Sequence, residues 1–178
     1  MEFNGKKWVL TFEDHFDGTS LDTTKWEKCP EQPRANVGGW WSDDMTSLDG
    51  KGNLILTAAL REDGTPISGA VRTRGIFEQA YGLFECRCKL QKTTGFWCAF
   101  WLFCDGAARV NENGGVGGAE IDIMESGDFR DKGVSHAIHW DGYGKEHKGI
   151  VKRIYDERFY EGYHTYALEW TKDAYIFY

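Results

Sequence analysis

The sequence lacks both an excess of basic residues and an apolar run long enough to cross a bilayer. Its 178 residues include 21 Lys and Arg against 28 Asp and Glu, a net charge of -7. Nucleic acids and anionic membranes bind basic patches, so this balance argues against either as a partner. A membrane-spanning helix needs about 20 consecutive apolar residues, which no segment provides. Residues 1–7 also lack the apolar core of a signal peptide, so we expect none in this chain.

Cysteine motifs are missing as well. The five cysteines form no Cys-x-x-Cys pair, and their odd number means that they cannot all be paired. Cys86 and Cys88 would share one strand face, which suits buried small side chains better than a bond between them. We predict free thiols, with one cross-strand disulfide between Cys88 and Cys98 as the alternative.

Aromatic residues are abundant by contrast, at 15% of the chain with 8 Trp. The flat apolar face of a tryptophan can pack on the C–H face of a sugar ring, whereas core packing is the alternative for each of them.

Helical periodicity is absent, and short β-forming runs alternate with polar or Gly-rich turns. This pattern, with 22 Gly and only 3 Pro, favours an all-β antiparallel sandwich. We predict a single domain over residues 1–178, with a loop over 105–118. The predicted strands, besides the acidic one described below, cover residues 8–12, 53–59, 70–77, 81–90, 96–104, 133–140, 163–171 and 174–178.

The last predicted strand, residues 174–178, is strongly β-forming and carries no cap. An uncovered apolar edge invites pairing with another chain. We therefore expect either that the domain is incomplete at its C-terminus or that the open edge self-associates.

Three carboxylates are interleaved with large apolar residues in segment 118–126. The two-residue period of a strand places Glu120 and Asp122 on one face and the intervening isoleucines on the other. Glu125 is one step out of phase. A one-residue β-bulge at Met124 would place all three acids on one face.

A strand face with three carboxyl groups favours the hydrolysis of glycosidic bonds. In the retaining mechanism one carboxylate attacks the sugar, and a second group donates and then accepts a proton. A third acid between them separates the pKa values of its neighbours. A calcium site and a solvated acidic face are the alternatives at this point, although the apolar neighbours indicate a buried central strand.

The acidic segment resembles the signature strand of glycoside hydrolase family 16, in the bulged form typical of the laminarinase-like branch. Residues 81–85 and 95–101 resemble the two strands that precede it, residues 137–140 the strand after it, and residues 163–171 a later one. The resemblance implies a β-jelly roll of two curved antiparallel sheets, with an open cleft for a polysaccharide. Family members usually continue past the position of Tyr178, so their C-terminal strands are expected to be lacking here.

The resemblance also implies roles for the acids: Glu120 as nucleophile, Asp122 as assisting acid and Glu125 as general acid/base. The implied activity is endo-acting, retaining hydrolysis of β-1,3- or mixed β-1,3/1,4-glucan by a full-length protein that is secreted. The alternatives are a β-galactan hydrolase of the agarase or carrageenase kind, a transglycosylase, and a lectin-like module that binds without cutting. No cofactor is required, although some family members bind structural calcium where Glu13 and Asp14 lie.

Five further residues are candidates for binding substrate. Trp97 and Trp101 share a strand face, with the small Ala99 between them, so we predict sugar platforms there. His139 is expected close to the general acid/base, within reach of a hydrogen bond. Arg72 and Trp40 are the other two candidates, and the segment 34–41 around Trp40 departs from the usual laminarinase loop.

Overall fold

The computed structural model consists of β-strands joined by turns and short 3₁₀ helices. It describes residues 2–34, 38–110, 117–127, 130 and 132–178, and those ranges contain no α-helix. Three 3₁₀ helices lie wholly within the described residues and span Asp43–Met45, Asp105–Ala108 and Glu157–Tyr160. No helix in the described ranges has the length and apolar character that a membrane span requires.

The chain divides into two compact units, Met1–Ala80 and Tyr81–Tyr178. The single-domain organisation therefore stays a prediction. Of the loop predicted over 105–118, residues 111–116 lie outside the described residues.

The first unit is built from short strands. They pair as β1 with β2, β3 with β10 and β6 with β7, and as a four-stranded sheet in the order β4-β5-β9-β8. The strands are β1 (Glu2–Phe3), β2 (Lys6–Lys7), β3 (Glu27–Lys28), β4 (Gln32–Pro33), β5 (Trp40–Trp41), β6 (Thr46–Leu48), β7 (Leu54–Leu56), β8 (Ala58–Leu60), β9 (Pro66–Ser68) and β10 (Val71–Arg72).

Three strand predictions in this unit need correction. The strand over 8–12 is wrong, because the chain is held there by side chains, with Phe12 packed against Phe77 at 4.7 Å between ring centroids. The strand over 53–59 is split at Thr57, since β7 pairs with β6 whereas β8 pairs with β9. The strand over 70–77 ends at Arg72, where the chain turns.

The second unit contains two antiparallel sheets, ordered β12-β13-β14-β15 and β11-β16-β17. Its strands are β11 (Gly82–Cys88), β12 (Cys98–Leu102), β13 (Glu120–Ser126), β14 (Gly133–Trp140), β15 (Lys148–Tyr155), β16 (His164–Trp170) and β17 (Tyr175–Phe177). All but one of them were predicted within a few residues. β15 was missed because every one of its residues is exposed, so it lacks the half-buried alternation that marks a strand in sequence.

The core of this unit lies between the two sheets. Tyr160 is fully buried in it and anchors its hydroxyl by donating to the Gly133 carbonyl at 3.1 Å and bonding the Ser126 hydroxyl at 2.6 Å. The core residues are Leu90, Ile121, Ile123, Met124, Val134, Tyr160, Tyr166 and Leu168.

The expected bulge is present in β13. On β12 the consecutive residues Phe100 and Trp101 pair with Met124 and Asp122, so Ile123 has no register partner there. The register to β14 shifts over the same stretch. Ile123 and Met124 are both buried, so the bulge sends two consecutive apolar side chains into the core.

All five cysteines are free, as predicted, and the alternative Cys88–Cys98 disulfide is not formed. Burial raises the pKa of Cys29 to about 11 and also raises the pKa of Cys98. Both thiols are therefore neutral at physiological pH and behave as small apolar side chains.

Candidate active site

The bulge brings Glu120, Asp122 and Glu125 onto one face of the four-stranded sheet, here called the acid-bearing face. Residues paired directly across antiparallel strands share a face. On β14 Asp122 pairs with Ala137 and Glu125 pairs with Ser135. Both partners are small and buried, as is Asp122, whereas Glu120 and Glu125 at the two ends of the row are partly exposed.

The two tryptophans predicted as sugar platforms both border this face. Trp101 pairs with Asp122 across β12 and β13 and is 40% exposed as a residue. Trp97 immediately precedes β12 and is 56% exposed. Alternate residues of β12 pack instead on the core, as Phe100 does. The predicted division of this segment into an exposed aromatic side and a core side is therefore confirmed.

Glu125 lies at the tryptophan end of the acid row. Its Oε1 accepts a hydrogen bond of 2.8 Å from Trp97 Nε1. Burial raises the pKa of Glu125, the Trp97 hydrogen bond opposes that rise, and the nearby charge of Glu120 adds to it. A glutamate with a raised pKa can hold a proton closer to neutral pH, which a general acid requires.

Asp122 lies in the middle of the row and is only 3% exposed. Its Oδ2 has no hydrogen-bond partner among the described residues, and His139 Nε2 is 3.5 Å away. Burial, then the charges of Glu125 and Glu120, raise the pKa of Asp122 to about 8. Asp122 is therefore protonated at neutral pH, so it separates two carboxylates without adding a third negative charge.

Glu120 lies at the opposite end, where its Oε2 accepts a hydrogen bond of 2.6 Å from the Tyr143 hydroxyl. Burial, and then the bond to Glu120, raise the pKa of Tyr143, so the phenol stays protonated and donates. Sequence reasoning missed Tyr143. The available signal was its place in the Gly-rich turn directly after β14, the strand paired with β13.

His139 also belongs to this end of the row, and not to the Glu125 end where it was expected. It pairs with Glu120 across the strands, and its Nδ1 lies 3.0 Å from His147 Nε2. The register explains this, because Glu125 pairs with Ser135, which lies four positions before His139 on β14. Burial lowers the pKa of His139, which favours the neutral ring.

A glycine on β15 makes room for this histidine. Gly149 pairs with His139, and a Cβ added there would lie 2.6 Å from the imidazole Nδ1. Any other residue at this position would push the ring out of place, so the absence of a side chain on β15 helps to place His139 over the acid-bearing face.

The remaining two candidates, Trp40 and Arg72, lie in the first unit. Arg72 Nε pairs with Glu27 Oε2 at 2.7 Å, and the Arg61 guanidinium lies 5.4 Å from the centroid of the Trp40 ring. Residues 35–37 of the departing loop lie outside the described residues. Substrate binding by Trp40 and Arg72 stays a prediction.

Two places among the described residues bear on metal binding. Glu120, Asp122 and His139 present ligand atoms that all lie within 4.8 Å of one another. At the site suggested for calcium, the two carboxylate oxygens of Asp14 accept hydrogen bonds from the Phe16 N–H and from Trp26 Nε1. Asp14 therefore already has a structural role, and calcium binding there stays a prediction.

Comparison with known proteins identifies the family. The model of the glycosyl hydrolases family 16 matches residues 34–178. The chain is 31% identical over 188 residues to a β-glucanase of Rhodothermus marinus, covering 93% of this chain and 60% of that protein. It is 28% identical over 192 residues to a glucan endo-1,3-β-glucosidase of Cryptopygus antarcticus, covering 94% and 64%. The chain thus spans less than two thirds of the length of both relatives.

A solved structure is similar as well. A Bacteroides ovatus GH16 protein from a mixed-linkage glucan locus, in complex with a G4G4G3G product, aligns with a TM-score of 0.77 and 28% identity. The alignment covers 94% of this chain and 73% of that one. This likeness confirms the predicted all-β jelly-roll fold.

Replacing Trp97 by Phe should raise the pKa of Glu125 above its wild-type value. The variant keeps an aromatic ring but removes the N–H that stabilises the charged carboxylate. Carbon-13 NMR titration of the glutamate carboxyl carbons measures this directly. Trp101→Phe is the matched control and should leave the Glu125 titration nearly unchanged. A Glu125 pKa that falls, or stays the same, in Trp97→Phe would contradict this assignment.

Replacing Asp122 by Asn should stabilise the protein, increasingly so as the pH rises. The unfolded carboxyl ionises near 3.8 and the folded one near 8, so wild-type stability is lost as pH increases between these values. We expect a gain on the order of 5 kcal/mol in the free energy of unfolding at about pH 8. Urea unfolding across the pH range measures it.

The same series contains its own control, because at about pH 4 Asp122 is protonated in both states and the substitution should have little effect. A stability difference that does not change with pH would show that Asp122 is not protonated in the folded protein.

Proposed function

Because the chain belongs to glycosyl hydrolases family 16, we propose that it is an endo-acting, retaining β-glycanase that hydrolyses β-1,3- or mixed β-1,3/1,4-glucan. The observation that carries this proposal is the row of three carboxyl groups on one face of β13, with the buried Asp122 between two partly exposed glutamates. The names of the two relatives and the glucan product in the Bacteroides ovatus complex support the substrate class.

In the first step of the proposed reaction, an oxygen of Glu120 forms a bond to the anomeric carbon of the sugar. The bond from that carbon to the leaving-group oxygen breaks, and Glu125 transfers its proton to this oxygen. Its raised pKa fits Glu125 for this task. The products of the step are a shortened glucan and a glycosyl ester on Glu120.

In the second step, water attacks the same carbon from the side that the leaving group has vacated. Glu125, now ionised, takes a proton from the water, and the bonding electrons of the ester return to Glu120. Two displacements restore the original anomeric configuration. The cycle consumes one water and needs no cofactor.

Asp122 acts in this scheme by holding a proton between the two glutamates. If it were ionised, Glu120 and Asp122 would place two negative charges on one strand face, and the proton of Glu125 would be held too tightly to be released. As a neutral acid it also offers a hydrogen-bond donor to its neighbours. We assign it the role of assisting acid.

Trp97 and Trp101 are proposed to bind the glucan chain. Their exposed rings border the acid-bearing face, and a sugar ring stacked on them would extend over Glu125. Trp97 has a second role in this proposal, because the same indole that contacts sugar also orients the general acid/base. His139 borders the Glu120 end of the same face.

Two proposals concern the protein in its surroundings. A polysaccharide substrate is too large to enter a cell, so the full-length protein is proposed to be secreted. Self-association is proposed through the edges of the second unit, where apolar side chains are exposed: Tyr175 and Ile176 on β17, and Ile150 and Ile154 on β15.

Light scattering tests self-association. We expect a mass above that of the 20.3 kDa monomer, falling to the monomer in Ile176→Lys. A monomeric wild-type protein at high concentration would refute the proposal.

Substitution of the two glutamates tests the proposed reaction. Glu120→Gln should lower hydrolysis of laminarin or mixed-linkage glucan by about four orders of magnitude, and Glu125→Gln by about two to four. A 2,4-dinitrophenyl β-glucoside needs no proton to leave, so Glu125→Gln should still release one burst of dinitrophenol per enzyme molecule. Glu120→Gln should give no burst. Rapid-quench kinetics distinguishes the two outcomes.

Glu85→Gln on β11 is the matched control, since Glu85 is exposed and lies on another sheet of the same unit. It should hydrolyse glucan at the wild-type rate. Full activity in either Glu120→Gln or Glu125→Gln would overturn the assignment, and glucan binding without hydrolysis by the wild-type protein would favour a lectin-like module.

A further inference from the structure

The proposed reaction makes no use of Tyr143, although its hydroxyl makes the closest polar contact described for the nucleophile. The distance from this hydroxyl to Glu120 Oε2 is 2.6 Å. The phenol is the donor, because its raised pKa keeps it protonated. Glu120 Oε1 has no such contact described and is left for the attack on the sugar.

Several contacts hold the Tyr143 turn against the acid-bearing face. Asp141, which is 1% exposed, pairs through Oδ2 with Lys148 Nζ at 2.8 Å. The Gly142 N–H donates to the Ala107 carbonyl at 3.0 Å. The Tyr143 ring stacks on His147 with centroids 6.0 Å apart. These contacts fix both ends of the turn, so the hydroxyl reaches Glu120 without having to order a loop first.

We propose that Tyr143 is a further catalytic residue, which speeds the breakdown of the glycosyl ester by stabilising the Glu120 carboxylate as it leaves. This inference rests on the proposed function. It assigns Tyr143 to the second displacement in particular, and not to both steps equally.

Tyr143 affects the two steps unequally because the charge on Glu120 changes differently in each of them. In the free enzyme Glu120 carries a full negative charge, and in the oxocarbenium-like transition state it still carries most of it. The Tyr143 hydrogen bond is therefore about equally strong at the start of the first step and at its transition state. Removing it should change the first step little.

The second step begins from the ester, in which Glu120 Oε2 is a neutral carbonyl oxygen and accepts a weaker hydrogen bond. As water bonds to the anomeric carbon, the ester bond breaks, its electrons return to the carboxylate, and a proton passes from water to Glu125. The hydrogen bond from Tyr143 strengthens during this step because its acceptor gains charge. Removing it should therefore slow the second step.

The test measures the two steps separately in wild type and Tyr143→Phe. A 2,4-dinitrophenyl 2-deoxy-2-fluoro-β-glucanoside forms the ester quickly and releases it slowly. Dinitrophenol release then reports the first step, and recovery of activity after removal of excess reagent reports the second. We expect recovery about tenfold slower in Tyr143→Phe, with ester formation within about twofold of wild type.

Steady-state hydrolysis of an unmodified 2,4-dinitrophenyl β-glucanoside gives a second readout. Once breakdown of the ester limits turnover, kcat and KM should fall together while kcat/KM stays near the wild-type value. A merely structural role for Tyr143 would instead lower kcat/KM. Tyr155→Phe is the matched control, because Tyr155 is an exposed tyrosine at the end of β15, and it should behave as wild type.

The results in wild type and in Tyr143→Phe test the proposed function and the role of Tyr143 separately. If wild type forms and releases the ester but Tyr143→Phe recovers at the wild-type rate, or loses both steps equally, the role assigned to Tyr143 is wrong and the proposed function stands. If wild type neither hydrolyses glucan nor forms the ester, the proposed function fails.

Discussion

The bulge over Ile123 and Met124 decides where every side chain of β13 points. It buries two consecutive apolar residues in the core and returns the strand to phase one residue later. Without it, Glu125 would point to the core side of the sheet, opposite to Glu120 and Asp122. The bulge thus contributes both to stability and to the active site. Ile123 and Met124 fill the core, and the extra residue they add to the strand brings Glu125 onto the same face as the other two acids.

Placing three acids on one strand face lowers the stability of the fold, mainly through the burial of Asp122. It is the most buried of the three, its Oδ2 has no partner among the described residues, and its pKa near 8 means that folding leaves it protonated. A protein selected only for stability would not keep this residue. Each of the two outer acids has its own hydrogen-bond donor. The indole of Trp97 donates to Glu125, and the phenol of Tyr143 donates to Glu120.

The sequence predicts a strand well only where the pattern of polar and apolar residues reflects its burial in the fold. β13 and β14 were predictable because β-forming residues lie between polar turns in both and most of their residues are buried, and the odd phase of Glu125 already implied a bulge. β15 was not, since an edge strand with every residue exposed carries no burial pattern. The segment 8–12 has a β-forming composition, but its aromatic side chain packs within the first unit and its backbone joins no sheet in the described residues.

The active site was only partly predictable from the sequence. The three acids were predicted from the residue pattern of one strand, whereas the partners of Glu120 depend on the register between strands and on a turn. The register of β13 against β14 places His139 opposite Glu120, and the contact from Tyr143 depends on a turn held by Asp141 and Lys148. Neither fact is contained in the spacing of residues along one strand.

The central claim is that Glu120 attacks the sugar. The most direct measurement is peptide mapping by mass spectrometry after the wild-type protein has reacted with a 2-deoxy-2-fluoro-β-glucanoside. The account predicts one glycosyl adduct, on the peptide that contains β13 and located by fragmentation to Glu120. An adduct on Glu125, or glucan hydrolysis with inverted configuration and no adduct, would contradict it.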